Sequence, residues 1–178
     1  MPAVRTQAAI LESARALIVA AAAGSPLPSV GAIAAQAGVS RLSVYHHFGS
    51  KAGLERAIAA AAAPARPGDE AAVGPPGDLL RHRIETACAR WAANPLLFRR
   101  LPAATEPGDR NAVHQLALDI AGADQLRPGC SLKEAEDVIG LVTSFAAFDQ
   151  FHADGRRSVP AVVEILYRLA GAILTAPA

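Results

Sequence analysis

The stretch SVGAIAAQAGVSRLSVYHHF, residues 29–48, decides the fold. Two short helical segments flank a turn that contains Gly38, and glycine readily adopts the positive φ that a tight turn between helices requires. Ser29 and Ser40 stand where the two segments would begin, and serine is a favoured helix N-cap. The pattern therefore predicts a helix-turn-helix.

The second of these segments separates a buried side from an exposed one. Ile33, Val39 and Val44 are expected to point inward, with Phe48 closing the same small core. Five polar side chains are left outside that core: Arg41, Ser43, Tyr45, His46 and His47. The first turns of such a helix enter the DNA major groove. There an arginine can bond guanine O6 and N7, and a serine can address several bases.

Donors continue beyond those first turns. Tyr45, His46 and His47 come at the end of the helix, where O–H and ring N–H groups would meet phosphate oxygens. Lys51 begins the following helix, whose free N–H groups and positive dipole end also attract phosphate. A polyanion passing residues 40–51 would find donors along its path.

Plainer interpretations of the same residues exist. Tyr45 could pack against the first helix with its hydroxyl in solvent, and Arg41 could be a solvated surface cation. His46 and His47 could be metal ligands, but adjacent helical residues point about 100° apart and chelate poorly. We therefore expect no metal site.

The rest of the chain predicts an all-α fold, because no segment shows period-two alternation. Helices are expected at 6–22, 30–36, 41–47, 51–62, around 80–91, after Pro95, and at 109–124, 132–152 and 160–174. The Pro- and Gly-rich segment 64–77 is interpreted as a loop or linker between a domain at 1–63 and a second at 78–178.

Two segments, IAAQAGVS (33–40) and VYHHFGSKAGL (44–54), resemble the DNA-binding domain of the TetR family of transcriptional regulators. The resemblance extends over about residues 6–60. It implies a homodimer that binds double-stranded, palindromic operator DNA, usually as a repressor, and is released by a small-molecule effector in the C-terminal domain. It implies no cofactor and no catalytic activity. The DNA-binding set that follows is Ser29, Ser40, Arg41, Ser43, Tyr45, His46, His47 and Lys51.

The sequence departs from the family pattern at the start of the second helix. Gly31 occupies a position where many members carry a basic or polar residue that reaches DNA, and Pro28 stands where threonine is frequent. Base reading would then rest mainly on Arg41 and Ser43. The segment 64–77 also looks longer than the usual turn after the fourth helix.

The C-terminal part carries candidates for an effector pocket. Its aromatic candidates are Trp91, Phe98, Phe145 and Phe148, and its polar candidates are His114, Asp149 and His152. Core packing is the alternative for the aromatics, and solvent or a subunit interface for the polar groups. The segments 132–152 and 159–174 are expected to dimerise as a four-helix bundle.

Composition excludes several classes of protein. Net charge is only +1, although residues 1–63 carry five cations and two acids. No uncharged apolar run approaches the about 20 residues of a membrane span. Cys88 and Cys130 are too few for a disulfide framework, which favours a reduced, cytoplasmic setting. Cys88 is expected to be an inert core thiol, and Cys130 in its turn would fit a redox sensor slightly better.

An enzyme is not expected, because the chain shows no nucleophile–base pair at informative spacing, no Gly-rich phosphate loop and no paired metal ligands. A protein-interaction module that keeps the fold without binding DNA remains the alternative. Gly31 and the modest charge of residues 1–63 favour it.

Overall fold

The computed structural model describes residues 2–22, 25–62, 74–101 and 107–175, and these are almost entirely helical. Within them lie ten α-helices: α1 (Pro2–Ala20), α2 (Val30–Gln36), α3 (Arg41–Phe48), α4 (Lys51–Ala62), α5 (Pro76–Ala93), α6 (Pro95–Phe98), α7 (Pro107–Gly122), α8 (Leu132–Val142), α9 (Phe145–His152) and α10 (Val159–Leu174). A 3-10 turn, Ala153–Gly155, follows α9. No described residue belongs to a β-strand, and the all-α prediction is confirmed.

The chain divides into two compact units. The first comprises residues 1–63 and 94–105, and the second comprises residues 64–93 and 106–178. The short helix α6 therefore lies with the first unit, whereas the sequence pattern placed it in the C-terminal domain. Of the expected linker 64–77, residues up to 73 lie outside the described residues, and α5 already begins at Pro76.

In the first unit, α1 packs against α2, α3 and α4. Its buried face repeats every four residues, with Ile10 and Ala14 fully buried and Ile18 nearly so. The helix-turn-helix contributes Ile33, Ala34 and Val44 to the buried set, as the spacing predicts, while Val39 and Phe48 are half-buried. This core fixes which side of α3 faces outward.

Two glycines shape the ends of α3. Gly38 in the turn before it has φ +67°, and Gly49 directly after it has φ +72°. Both values lie in the left-handed region that side chains with a Cβ rarely adopt. Gly49 also donates its N–H to the Tyr45 carbonyl at 2.8 Å, which ends the helix.

Serine hydroxyls cap the starts of α2, α3 and α4. Each accepts a hydrogen bond from the backbone N–H three residues later, and these bonds measure 3.1, 3.1 and 3.0 Å for Ser29, Ser40 and Ser50. A cap of this kind stabilises a helix by about 1 kcal/mol. Such caps matter most in helices as short as α2 and α3, which gain little from cooperative propagation.

The end of α1 is held by a residue from a distant part of the sequence. Arg100, just after α6, donates to the carbonyls of Ile18 at 3.0 Å and Ala21 at 2.7 Å, and also to the carbonyl of Ala22. α1 has no basic residue of its own in its last turn. A guanidinium at a helix C-terminus satisfies free carbonyls and complements the negative end of the dipole.

The second unit packs α5, α7, α8, α9 and α10 around one core. α10 lies against α5, α8 and α9, and α7 lies against α8. The fully buried side chains of this core include Ile84, Ile139, Phe148, Val162 and Leu174. Ser131 caps α8 by accepting the Glu134 N–H at 3.2 Å.

The expectation of one helix over 132–152 was wrong, because the structure breaks it at Thr143 and Ser144. In a continuous helix the Ala147 N–H would donate to the Thr143 carbonyl. Instead, that N–H donates to Ser144 Oγ at 3.1 Å, and the Thr143 carbonyl accepts Trp91 Nε1–H at 3.0 Å. Local side-chain hydrogen bonds thus compete with the helical ladder, and an indole from α5 takes the freed acceptor.

Candidate nucleic-acid interface and effector site

The candidate DNA interface is the outer face of α3. Val44 is 1% exposed and anchors the helix to the first unit. Because adjacent helical residues are about 100° apart, Leu42, two positions before the inward Val44, points to the opposite side of α3. Arg41, the first residue of the helix, is exposed as well.

Arg41 is the first residue of α3, and its guanidinium lies against the backbone of Gly31 in α2. None of the described residues accepts a hydrogen bond from this guanidinium or forms an ion pair with it. Its donors therefore remain available to an external acceptor, and the planar fork suits a guanine edge or a phosphate.

Ser43 is less open than the sequence suggests. It is half-buried, and its hydroxyl lies 3.0 Å from that of Ser40, which also accepts the Ser43 N–H. The two hydroxyls therefore form a pair at the start of α3. Each hydroxyl can still form one more hydrogen bond outward.

Leu42 is the residue that the sequence pattern missed. Its side chain is 78% exposed, the highest value among the exposed large apolar residues. It lies between Arg41 and Ser43 in the first turn of α3. An apolar side chain in that place can contact the C5-methyl group of thymine. Leu42 lies about 200° around the helix axis from the inward Val44, and this spacing in the sequence indicates that Leu42 points outward.

The end of α3 presents three rings. Tyr45 is 45% exposed, His46 is exposed and His47 is half-buried. The His46 and His47 rings meet edge to face with centroids 5.8 Å apart, and His47 lies beside Phe48. The exposure of Tyr45 leaves its hydroxyl within reach of a partner, as a phosphate contact would need.

Lys51 is exposed at the start of α4, but it is not isolated. Its Nζ lies 3.8 Å from Glu55 Oε1, one helical turn later. An exposed pair of this kind contributes well under about 1 kcal/mol, so a phosphate can compete for the ammonium group. Glu55 nevertheless reduces the local positive charge.

The second unit brings four of the candidate effector residues together. The Trp91 and Phe145 ring centroids lie 5.6 Å apart, those of Phe145 and Phe148 lie 6.4 Å apart, and those of Phe148 and His152 lie 4.7 Å apart. The chain of rings spans α5 and α9. Phe148 is fully buried, while the other three are half-buried.

The polar candidates are distributed differently. His152 Nδ1 is 2.9 Å from the Arg157 carbonyl, so that nitrogen carries the proton and Nε2 is left to accept. Asp149 is half-buried on the same helix. His114 is exposed on α7 and lies 2.7 Å from Glu136 Oε1, away from the ring cluster in sequence and element.

Residues 10–58 match the family model described as bacterial regulatory proteins, tetR family. The matched residues contain the whole helix-turn-helix and every predicted DNA contact. Over residues 10–58 the chain is therefore similar to the TetR family of regulators.

Solved structures share the fold over the full chain. NalD, the secondary repressor of the MexAB-OprM multidrug efflux pump in Pseudomonas aeruginosa, is 20% identical with a TM-score of 0.63 over 98% of each chain. A TetR-family regulator from Shewanella sp. PV-4 is 20% identical with a TM-score of 0.63, covering 97% of this chain and 99% of its own. TylP, a TetR regulator from Streptomyces fradiae, is 15% identical with a TM-score of 0.60, covering 99% and 90%. No curated protein matches the chain in sequence.

Phe98 belongs to a different compact unit from the aromatic and histidine candidates of the ring cluster. Phe98 is 4% exposed and belongs to the first unit, whereas Trp91, Phe145, Phe148 and His152 belong to the second. The reason is the chain path, because α6 returns to the first unit between α5 and α7.

Neither cysteine of the chain has the character of a reactive thiol. Cys88 is 1% exposed, and burial raises its pKa to about 12. The pKa of Cys130 is also raised, first by partial burial and then by the nearby Glu134. Both shifts disfavour the thiolate, so the slight preference for Cys130 as a redox sensor loses its physical basis.

Across the described ranges, no three His, Cys, Asp or Glu side chains lie close enough to hold a metal ion. None of the described helices combines the length and apolarity needed to cross a bilayer.

Proposed function

We propose that this protein is a TetR-family repressor that binds a palindromic operator as a homodimer and leaves it when a small molecule binds the second unit. The observation that carries the proposal is the outer face of α3. Arg41 offers donors that no described residue engages, Leu42 is 78% exposed, and Tyr45 is 45% exposed. A cation, an apolar side chain and a hydroxyl on one short helix match what a major groove presents.

Different residues have different tasks in this proposal. Arg41, Leu42 and Ser43 meet base edges, while Tyr45, His46, His47 and Lys51 meet phosphates. Ser29 and Ser40 contribute through the helix starts that they cap. The hydrogen bond between the Ser40 and Ser43 hydroxyls restricts the rotamers of both side chains. It therefore fixes the direction in which each hydroxyl can form a further hydrogen bond.

Exposed apolar residues on the second unit support a dimer. Leu141 on α8 is 63% exposed, and Leu169 and Ile173 on α10 are 47% and 42% exposed. Leu169 and Ile173 are four residues apart and therefore share one face of α10. Large apolar side chains on helices α8 and α10 are the surface that a four-helix bundle across a two-fold axis would bury. The two copies of α3 would then lie about 34 Å apart.

The effector would bind at the ring cluster of Trp91, Phe145, Phe148 and His152, with Asp149 beside it. Aromatic walls with a few polar groups are typical of small-molecule sites. A ligand that prefers one arrangement of the dimer weakens operator binding by its differential affinity for the two states. The free Nε2 of His152 would accept a hydrogen bond from such a ligand.

Duplex binding measured by fluorescence anisotropy tests the proposal. The probe is DNA flanking the regulator's own gene, a scrambled duplex is the control, and salt runs from about 50 to about 300 mM. We expect tight, salt-dependent binding to the flanking DNA alone. Arg41→Ala should cost about 1–3 kcal/mol at that site, whereas Lys51→Ala should weaken all duplexes and lower the salt slope by about 1.

Absence of binding to either duplex at low salt would refute DNA recognition and favour a protein-interaction module. Screening small molecules against the bound complex then tests the effector. Trp91→Ala and His152→Ala should reduce release by an active compound without changing DNA affinity in its absence.

A further inference from the structure

The Arg41 guanidinium lies closer to the Gly31 backbone than a residue with a Cβ at position 31 would allow. A Cβ built on Gly31 would lie 2.7 Å from Nε, 2.7 Å from Nη2 and 2.9 Å from Cζ of Arg41. These distances are shorter than any ordinary contact. The guanidinium therefore occupies the volume that a side chain at position 31 would need.

Gly31 differs in this respect from the other described glycines. An added Cβ at Gly38, Gly49 or Gly122 would meet nothing within 4 Å, and at Gly53 it would meet the Phe48 backbone carbonyl. Among the described glycines, Gly31 alone has a charged side chain in that close position.

The backbone does not explain the glycine. Gly31 is the second residue of α2 and does not have a positive φ, in contrast to Gly38 and Gly49. Glycine destabilises a helix relative to alanine, so conformation alone would favour another residue. Room for the Arg41 guanidinium is the one structural use of the glycine that the contacts show.

We propose that Gly31 is a specificity-determining residue that acts by positioning Arg41. This inference rests on the proposed DNA-binding function. With Gly31, the guanidinium lies against α2 and points its donor edge at one base pair beside both helices. A Cβ at position 31 would push it to another rotamer and another base pair. Because the bidentate contact to guanine needs a planar fork in a set orientation, such a displacement changes which sequence is preferred.

The arrangement also explains why α2 needs no side chain of its own to contact bases. The Arg41 side chain from α3 occupies the place on α2 that a side chain at position 31 would otherwise fill. Packing against Gly31 restricts the Arg41 rotamers before DNA arrives, and a preorganised side chain loses less entropy on binding.

The test compares preferred duplexes selected from a randomised pool by the wild type, Gly31→Ala, Arg41→Ala and the double variant. We expect Gly31→Ala to bind the wild-type operator about tenfold more weakly, to keep its affinity for scrambled DNA, and to select a different base at one position of each half-site. In the Arg41→Ala background, Gly31→Ala should have no further effect.

Gly122→Ala is the matched control, because it adds the same methyl group to a helical position with open space around it. It should leave the selected sequence and the affinity unchanged. An unchanged preference in Gly31→Ala would overturn the inference. So would equal losses from Gly31→Ala with and without Arg41, because they would place its effect in α2 itself.

A measurement without DNA separates this inference from the proposed function. A nuclear Overhauser effect between Gly31 Hα and Arg41 Hε is expected in the wild type. If the wild type binds its operator but this effect is absent, only the positioning role fails. If the wild type shows the effect but binds no duplex, both the DNA-binding function and the specificity role fail.

Discussion

At the scale of single residues, the face of α3 combines polar and apolar groups. Leu42 is 78% exposed in the first turn of α3. Its neighbours Arg41 and Ser43 supply hydrogen bonds, and Leu42 supplies a surface that water solvates poorly. Burying it against a thymine methyl group would remove that surface from water.

Replacing thymidine by deoxyuridine in the operator tests Leu42, because deoxyuridine lacks the C5-methyl group. We expect the wild type to lose about fourfold in affinity at the contacted position, the equivalent of about 0.8 kcal/mol for one buried carbon. Leu42→Ala should bind both duplexes equally. Equal affinity of the wild type for every thymidine-to-deoxyuridine duplex would contradict the contact.

The sequence predicts the helix-turn-helix better than it predicts the contacts around it. The inward Val44 and the capping serines follow local rules, so the helix-turn-helix and its outer residues could be found without coordinates. The sequence prediction omits Leu42 because only polar side chains indicate hydrogen bonds to DNA. The Arg41–Gly31 contact could not be found, since a rotamer that crosses between two helices leaves no periodic signal.

At the scale of elements, the ends of helices show what local sequence can and cannot specify. The predicted bounds of α2 and α4 agree with the structure, because serine caps mark their starts. The break between α8 and α9 was not predicted, because the apolar periodicity continues across it. What breaks the helix is Ser144 as a competing acceptor and Trp91 as a donor from α5.

Arg100 is the clearest element-scale contact, since one side chain bonds three carbonyls at the end of α1. Hydrogen bonds from a charged donor contribute about 1.5–3 kcal/mol, and Arg100 is half-buried. We expect Arg100→Ala to lower the free energy of unfolding by about 2 kcal/mol, as measured by urea denaturation.

Arg100→Lys is the informative companion variant. Lysine keeps the charge at the helix end but lacks the planar fork, so it should restore only part of the loss. A free energy of unfolding for Arg100→Ala within error of the wild type would show that the end of α1 is satisfied by water instead.

At the scale of the whole molecule, the proposed function requires two copies. A single α3 would contact only a few base pairs, and a two-fold dimer would double the site and fix the half-site spacing. Leu169 and Ile173 together present an apolar surface on α10 that such a dimer would bury.

The double variant Leu169→Glu, Ile173→Glu should be monomeric in analytical ultracentrifugation, because four charges would face one another across a two-fold bundle. Its operator affinity should fall by about tenfold or more, since each half-site then binds alone. Leu118→Glu on α7, also exposed at 39%, is the control and should remain dimeric. A dimeric double variant would place the subunit interface elsewhere.

The placement of α6 was beyond sequence reasoning, because hydrophobic periodicity identifies a helix but not the unit to which it attaches. Through α6 the chain visits the first unit twice and passes between the units three times. The first unit is consequently not one contiguous segment that could be exchanged by itself. A chimera joined after residue 63 would inherit α1 without the arginine that closes its end. An exchange of effector-binding parts between such proteins must therefore keep residues 94–105 together with the N-terminal segment of the same protein. This requirement restricts the crossover points that evolution or a designer can use.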